Sequence, residues 1–444
     1  MKHALVSDSI GRKRCSRRDN TTMVLGNEFY RLLDDTLAAS QGESPGFSEL
    51  VQTAPVALPG HVFSARRSRL EEFQLFFKTA SGIFSDAVDG KCSPLLSKLL
   101  LNDVPECYGA EFHRALPRDV WTIPQFYRTD ESINGKVFEI QCPGSGWGDL
   151  QMLATVYSQL NPSSVVSQYK PSKAVAEEIV QVCQDASPSV LHLLDNSSNP
   201  VSMRHLIATT QPPLRYWGQS RSVRNADCQF IRSHSFFGLV AENLFKERVG
   251  MAARGQVWFD LPPVLVFDEK IALCLPFLEE TQSYFSDAIR DIITYSHPVL
   301  DSGFKDTDGR WVTIQEFLQR RPSERNYFLK YAGCDVSVNW GSRSVFRLND
   351  REAAVHIMRA AEDAKRDRYW LIQPEISEKE RIDYFGKADV DVVRERLTAK
   401  YSCFYGPTQL IGIRTMHRHH YKVHGQDDTV LGLAVPGAWD ERIT

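Results

Sequence analysis

No C-x-x-C pair occurs in this sequence, and its nine cysteines, at positions 15, 92, 107, 142, 183, 228, 274, 334 and 403, are odd in number. Neither a disulfide framework nor a zinc cluster is suggested, and a reducing, cytoplasmic setting fits best. No apolar run approaches the roughly 20 residues a bilayer span needs, so no membrane segment is expected. Charge of one sign is not in excess. The net charge is −3 and the pI about 6.5, which gives no general pull toward nucleic acid or a membrane surface. No internal repeat and no low-complexity tract is present. The basic stretch of Arg12, Lys13, Arg14, Arg17 and Arg18 has no apolar segment behind it and is not expected to be a secretory signal. Residues 1–24 read as a disordered basic tail, with a phosphate-binding arm as the alternative.

What is present is a globular composition, 42% apolar and 24% charged, over 444 residues. That length suits two or three domains of roughly 150 residues each. Residues 26–115 read as mainly helical, with apolar residues three and four apart in "NEFYRLLDDTLAA" and "RLEEFQLFFKTASGIFSDAV". Strand-like "DVWTIPQFYRTD" follows, and later the helix "LQMLATVYSQL". From about residue 174 helices alternate with short strands ("SVLHLL", "LRYW", "DCQFIRS"), which predicts an α/β unit with a partly parallel sheet. That unit ends near "PPVLVFDEKIALCLPFL" and the helix "SDAIRDIITYS". Beyond residue 300, "YFLKYAG", "SRSVFRL" and "YWLIQPEI" are strand-like, with the helix "DREAAVHIMRAAEDA" between the last two. "TQLIGIRTMH" and "HHYKVHG" read as a hairpin, followed by "TVLGLAVPGAW".

Four stretches could carry chemistry. In "YRTDESINGKVFEIQCPGSGWGD", Glu139 stands in an apolar strand that runs into Pro143, Gly144, Gly146 and Gly148. A strand ending in a Pro/Gly turn is ordinary punctuation, and no dinucleotide fingerprint follows it. In "NYFLKYAGCDVSVNWGSRSVFRL", Lys330 sits at the end of an apolar strand before a loop with Gly333, Ser337, Asn339, Gly341 and Ser342. Such a loop can close on phosphate oxygens with a lysine as point charge, or be a solvated hairpin with a snorkelling lysine. "YWLIQPEI" could place Gln373 and Glu375 near a base or ribose, or be any buried strand leaving a lobe. "RTMHRHHYKVHGQDD" packs four histidines among basic residues, but without Cys/His pairs at ligand spacing a zinc site is disfavoured. Cys142 adjoins the first stretch; no histidine close in sequence marks it as a nucleophile, and a buried thiol is expected.

In this order the stretches resemble the circularly permuted ATP-grasp ligases, eukaryotic-type glutathione synthetase and glutathionylspermidine synthase among them, over roughly residues 120–440. The resemblance implies an α/β (α+β) fold: a permuted ATP-grasp core with an inserted Rossmann-like substrate-binding domain and a lid subdomain. The divisions are then residues 25–173 for the helical region and metal-binding strand, 174–298 for the substrate domain, 299–385 for the lid with its phosphate loop, and 386–444 for the rest of the core. It implies ATP and Mg²⁺ as cofactors. Glu139, Asp130 and Asp335 would meet the metal, with Gln141 where the family has asparagine. Lys270, Lys330, Gly333, Ser337, Asn339, Gly341, Gln373, Glu375, Ile376 and Lys422 would face ATP. Arg128 and Arg418 would surround the reacting carboxyl. Gly144, Ser145, Gly146, Trp147 and Arg232 would bind substrate, Arg232 standing where "FIRSHSF" resembles the family's "YFR-x-x-Y" strand.

The implied activity is ATP-dependent ligation of an amino acid or small peptide to an amine through an acyl phosphate, acting on small molecules, with a homodimer as the usual assembly of such enzymes. The glycine-rich turn differs from the serine-bearing turn of glutathione synthetase, so glutathione is not assumed as product. A small-molecule kinase and a non-catalytic nucleotide-binding relative are the alternatives.

Overall fold

The computed structural model describes residues 28–36, 50–101, 110–116, 123–142, 144–161, 165–184, 189–192, 206, 208–210, 215–219, 230–232, 250–251, 254, 256–260, 264–267, 269–333, 338, 344–386, 392–423 and 428–437. The basic tail proposed for residues 1–24 lies outside them.

An alternation of side chains explains the central sheet. Strand β3 (Tyr127–Glu131, YRTDE) is buried along its whole length, so it has core on one face and something polar on the other. It forms a hairpin with β4 (Val137–Gln141) and lies against the long β16 (Val392–Tyr405). β17 (Leu410–Arg418) and β18 (Val430–Pro436) continue antiparallel. β1 (Leu50–Gln52) and β15 (Lys379–Phe385) finish the far edge, and β2 (Val56–Leu58) runs beside β18. The order is β15-β1-β18-β17-β16-β3-β4.

Each face is covered by a helix chosen by its apolar stripe. Leu70–Val88 buries Phe73, Phe76, Phe77, Ala80 and Phe84 against Tyr127, Tyr401 and Tyr405. The helix Trp147–Leu160 covers the opposite face, where Trp147, Leu150 and Leu153 meet Phe404, Met416, Leu431 and Leu433. Its cover lies over β17 and β18.

Three smaller sheets accompany it among the described residues, one of them the two-stranded hairpin of β10 (Gly303–Lys305) and β11 (Trp311–Thr313). β5 (Ser189–His192), β6 (Arg215–Gln219), β7 (Phe230–Arg232) and β8 (Trp258–Phe259) form an all-parallel sheet in the order β6-β5-β7-β8, after the helix Pro171–Cys183. The following segment leaves that sheet: Val266, Phe267, Ile271, Leu273, Leu275 and Ile289 join the core of the helix Leu70–Val88. β9 (His297–Val299), β12 (Tyr327–Tyr331), β13 (Val345–Arg347) and β14 (Trp370–Pro374) form an antiparallel sheet in the order β13-β12-β14-β9. It is backed by Ala353, Ile357 and Ala360 of the helix Ala353–Ala364.

Three expectations need correction. Residues 26–115 hold β1 and β2 among their helices; strands of three residues are too short to show a period. β16, fourteen residues long, was not expected at all. "HHYKVHG" is not a strand over its described residues 419–423: the partners of β17 are β16 and β18, and His419 and His420 lie beyond the end of β17. No helix among the described residues is long and apolar enough to cross a membrane.

Candidate active site

The register of four strands assembles the polar face. Glu139, Asp130, Ser402 and Arg414 stand directly opposite one another across β4, β3, β16 and β17. Residues opposed in this way share a face. Gln141 stands opposite Arg128 in the next row, and Lys400 lies two residues from Ser402 on the same side of β16.

Asp130 is fully buried, yet its carboxylate is satisfied. Ser402 donates to Oδ1 at 2.8 Å and Lys400 Nζ to Oδ2 at 2.9 Å. Arg128 Nη2 donates to Oδ2 at 3.0 Å, and its Nε lies 2.9 Å from Oδ1. Burial works against the charge, but Arg128 and Lys400 outweigh it and hold the carboxyl well below the usual range. The Lys400 ammonium is brought down by burial, with Asp130 opposing that shift.

Glu139 is more open, its side chain 25% exposed, with Lys270 Nζ 3.9 Å away. Gln141 Nε2 donates to its Oε1 at 3.1 Å. Burial again opposes the charge, Lys270 and Lys330 favour it, and the net shift is downward despite Asp130. Lys330 arrives from the other sheet: its Nζ donates to the carbonyl of Phe138 at 3.0 Å, over the Phe138 ring. Burial brings this lysine down to about 8, with Glu139 partly restoring the charge.

The glycine turn follows β4 directly. Gly144 and Gly146 have φ of 78° and 90°, and Gly146 caps the helix Trp147–Leu160 with no side-chain cap. The Arg414 guanidinium occupies the space a Cβ on Gly146 would need, so only glycine fits. Arg414 pairs with Asp149 in the first helical turn, and its buried Nε has no hydrogen-bond partner among the described residues. Arg128 Nη1 donates to the Ser145 carbonyl at 2.7 Å and to its hydroxyl at 3.1 Å. Two guanidinium groups thus flank a helix start whose N–H groups lack a side-chain cap, an arrangement suited to a carboxylate.

No family model matches the sequence, and no curated protein matches it. Among solved structures, a glutathione synthetase-like effector from Globodera pallida, in its apo form, is similar over 94% of this chain and 99% of that one, with a TM-score of 0.51 and 12% identity. The fold is glutathione synthetase-like. At that identity the likeness concerns the fold alone, a mixed α/β architecture shared along nearly the whole chain.

Within this glutathione synthetase-like fold, Arg128, Asp130, Glu139, Gln141, Lys270, Lys330, Gly144, Ser145 and Gly146 come together. Other expected site residues do not join them. Trp147 packs its ring on Phe126 and Phe404 and belongs to the core. Arg418 pairs with Asp428 and donates to the Lys422 carbonyl; it lies four residues along β17 from Arg414, about 13 Å at strand rise. Arg414, not Arg418, is the arginine beside Arg128. Lys422 lies over the rings of Phe346 and Tyr421, against β12 and β13. Glu375 is held by Arg347 and by Asn349 at 3.3 Å. Gln373 is buried and donates to Ser296 at 2.8 Å, leaving its Oε1 without a partner among the described residues. Ile376 is half-buried just beyond β14, and Gly333 is buried after β12.

Asp335, Ser337, Asn339 and Gly341 lie outside the described residues, as does the Arg232 side chain at the end of β7. Among the described residues no group of three or more His, Cys, Asp or Glu could hold a metal ion. His417, in the histidine-rich run, is buried between Glu380 at 2.9 Å and Gln52 at 3.3 Å. Cys142 is a buried core thiol. Lys400, Ser402, Asp149 and Arg414 were not anticipated from sequence. The strand alternation of "LIGIRTMHR" puts Arg414 and Arg418 on one face and leaves the choice between them to the register with β16.

Proposed function

We propose that this protein is an ATP-dependent carboxylate–amine ligase of the permuted ATP-grasp type, joining an amino acid or small peptide to an amine. The observation that carries the reading is the convergence of Arg128, Lys270, Lys330, Lys400 and Arg414 around Glu139, Asp130 and Asp149. More positive than negative charge faces one row of a rigid sheet, as an anionic nucleotide and a carboxylate require.

The donor set fits a magnesium ion that takes few protein ligands: Glu139 carries a partly exposed carboxylate beside the amide of Gln141, and such an ion leaves the rest of its shell to phosphate oxygens and water. Held by Glu139 and Gln141, the ion would supply positive charge that offsets the charge of the phosphates. Lys270 and Lys330, on either side of Glu139, bind the transferring phosphates. Arg128, Arg414 and the N–H groups after Gly146 orient the carboxylate. Its oxygen takes the γ-phosphoryl group as ADP leaves, and the amine then attacks the carbonyl carbon, loses a proton and expels phosphate. The wall of Phe138 and the sheet carrying Lys330 exclude water that would hydrolyse the activated acyl group.

The test is ADP and phosphate release with Mg²⁺-ATP against a panel of amino acids and amines, singly and in pairs, for wild type, Glu139→Ala and Lys330→Ala. The expected result is turnover with one pair, a condensed product by mass, and loss in both variants. A stable phosphorylated product without amine would replace the ligase by a kinase. ATP binding that survives Glu139→Ala, with no turnover on any pair, would favour a non-catalytic relative.

A further inference from the structure

Asp130 was expected to meet the metal beside Glu139, yet its carboxylate is already held by two cations and a hydroxyl. An ionised carboxylate offers about four lone-pair positions. Three of these are taken by hydrogen bonds, from Ser402 Oγ to Oδ1 and from Lys400 Nζ and Arg128 Nη2 to Oδ2, and Arg128 Nε stands 2.9 Å from Oδ1 without donating to it. Lys400 is only 7% exposed and points inward from a strand buried on both faces. A buried ammonium is tolerated only when paired, so moving Lys400 away to admit a metal would strand it.

We infer that Lys400 is a built-in cation on Asp130, standing where a metal ion would otherwise sit, so that the site takes its metal through Glu139 and not through Asp130. The inference rests on the ligase reading, in which metal–nucleotide binds at Glu139. On this account Lys400 and Asp130 act as a fixed, neutral pair. They position Arg128, which shares Asp130 and reaches Ser145, and leave Glu139 as the carboxylate open to the ion.

Mn²⁺ binding to the full chain, followed by electron paramagnetic resonance with a non-hydrolysable ATP analogue, separates the possibilities. The double variant Asp130→Asn/Lys400→Met removes the pair without leaving either charge alone; its Mn²⁺ affinity is expected to stay within about twofold of wild type, whereas Glu139→Gln weakens it by roughly tenfold or more. Lys400→Met alone keeps the acid and opens one position on Oδ2 beside Arg128 Nη2, so Mn²⁺ is expected to bind several-fold more tightly, and Lys400→Arg to behave as wild type. Thermal unfolding of each variant shows which are folded, and Lys400→Met carries the test if the double variant is not. A loss in the double variant as large as that in Glu139→Gln, or unchanged or weaker binding to Lys400→Met, overturns the inference and leaves the ligase reading standing. Mn²⁺–nucleotide binding that is absent from wild type, or indifferent to Glu139→Gln, overturns both.

Discussion

Asp130 and Glu131 are neighbours on β3, both carboxylates, both fully buried, and they face opposite sides of one sheet. Glu131 is closed in by Arg66 at 3.1 Å, Arg69 at 3.1 Å and the Thr129 hydroxyl at 2.8 Å. Around it stand Tyr401, Tyr405 and the helix Leu70–Val88. Asp130 has as many polar neighbours, but its row continues to Glu139, which is a quarter exposed, and on to Lys270 and Lys330 from other parts of the chain. Burial and pairing alone therefore do not mark a site. The mark is a row of charges that runs from the core to an opening and gathers cations in excess of acids.

The comparison predicts a division of effects between the faces. Glu131→Ala leaves Arg66 and Arg69 buried without their acid and is expected to cost about 3–5 kcal/mol of stability, read by denaturant unfolding, with turnover per folded molecule unchanged. Glu139→Ala and Lys330→Ala should do the opposite, lowering turnover by roughly 10²–10³-fold while the unfolding midpoint moves little. A stability loss in Glu139→Ala equal to that in Glu131→Ala would erase the distinction.

Gly146→Ala forces a side chain into the Arg414 guanidinium at positive φ. It is expected to raise the KM for the carboxylate substrate by about tenfold, a cost of roughly 1.4 kcal/mol, with the KM for ATP unchanged. The smallest effect is one of pH. Lys330 is brought down to about 8 in the folded chain, against about 10.4 when unfolded. The folded state thus binds fewer protons between those values, so this group's contribution to stability rises with pH across that window. Activity should move the other way, kcat/KM for ATP falling as pH passes about 8 and the ammonium that holds phosphate is lost. A flat profile from pH 7 to 9 would remove Lys330 from the phosphate site.

Much of this was legible in the sequence where local pattern and chemistry coincide. Glu139 stands in a short apolar strand before a glycine turn, and Lys330 ends another strand; both read correctly as strand residues. The alternating middle section likewise announced its parallel sheet. β16 was not legible because Arg394, Glu395 and Arg396 give its first half a surface texture, while residues 398–405 are buried on both faces and show no period. Lys400 was consequently not singled out. The choice between Arg414 and Arg418 could not be made locally either. Both lie on the same face of β17, and only the register with β16 and β3, a long-range pairing, decides which one stands beside Arg128.

The central claim is that this charged row activates a carboxylate by phosphoryl transfer. The most direct measurement uses a carboxylate substrate labelled with ¹⁸O in both oxygens, turned over with unlabelled ATP and amine, and weighs the phosphate released. The account predicts a single ¹⁸O atom in each phosphate, carried over when the amine displaces it. Unlabelled phosphate accompanying ADP would contradict it, since no acyl phosphate would then have formed.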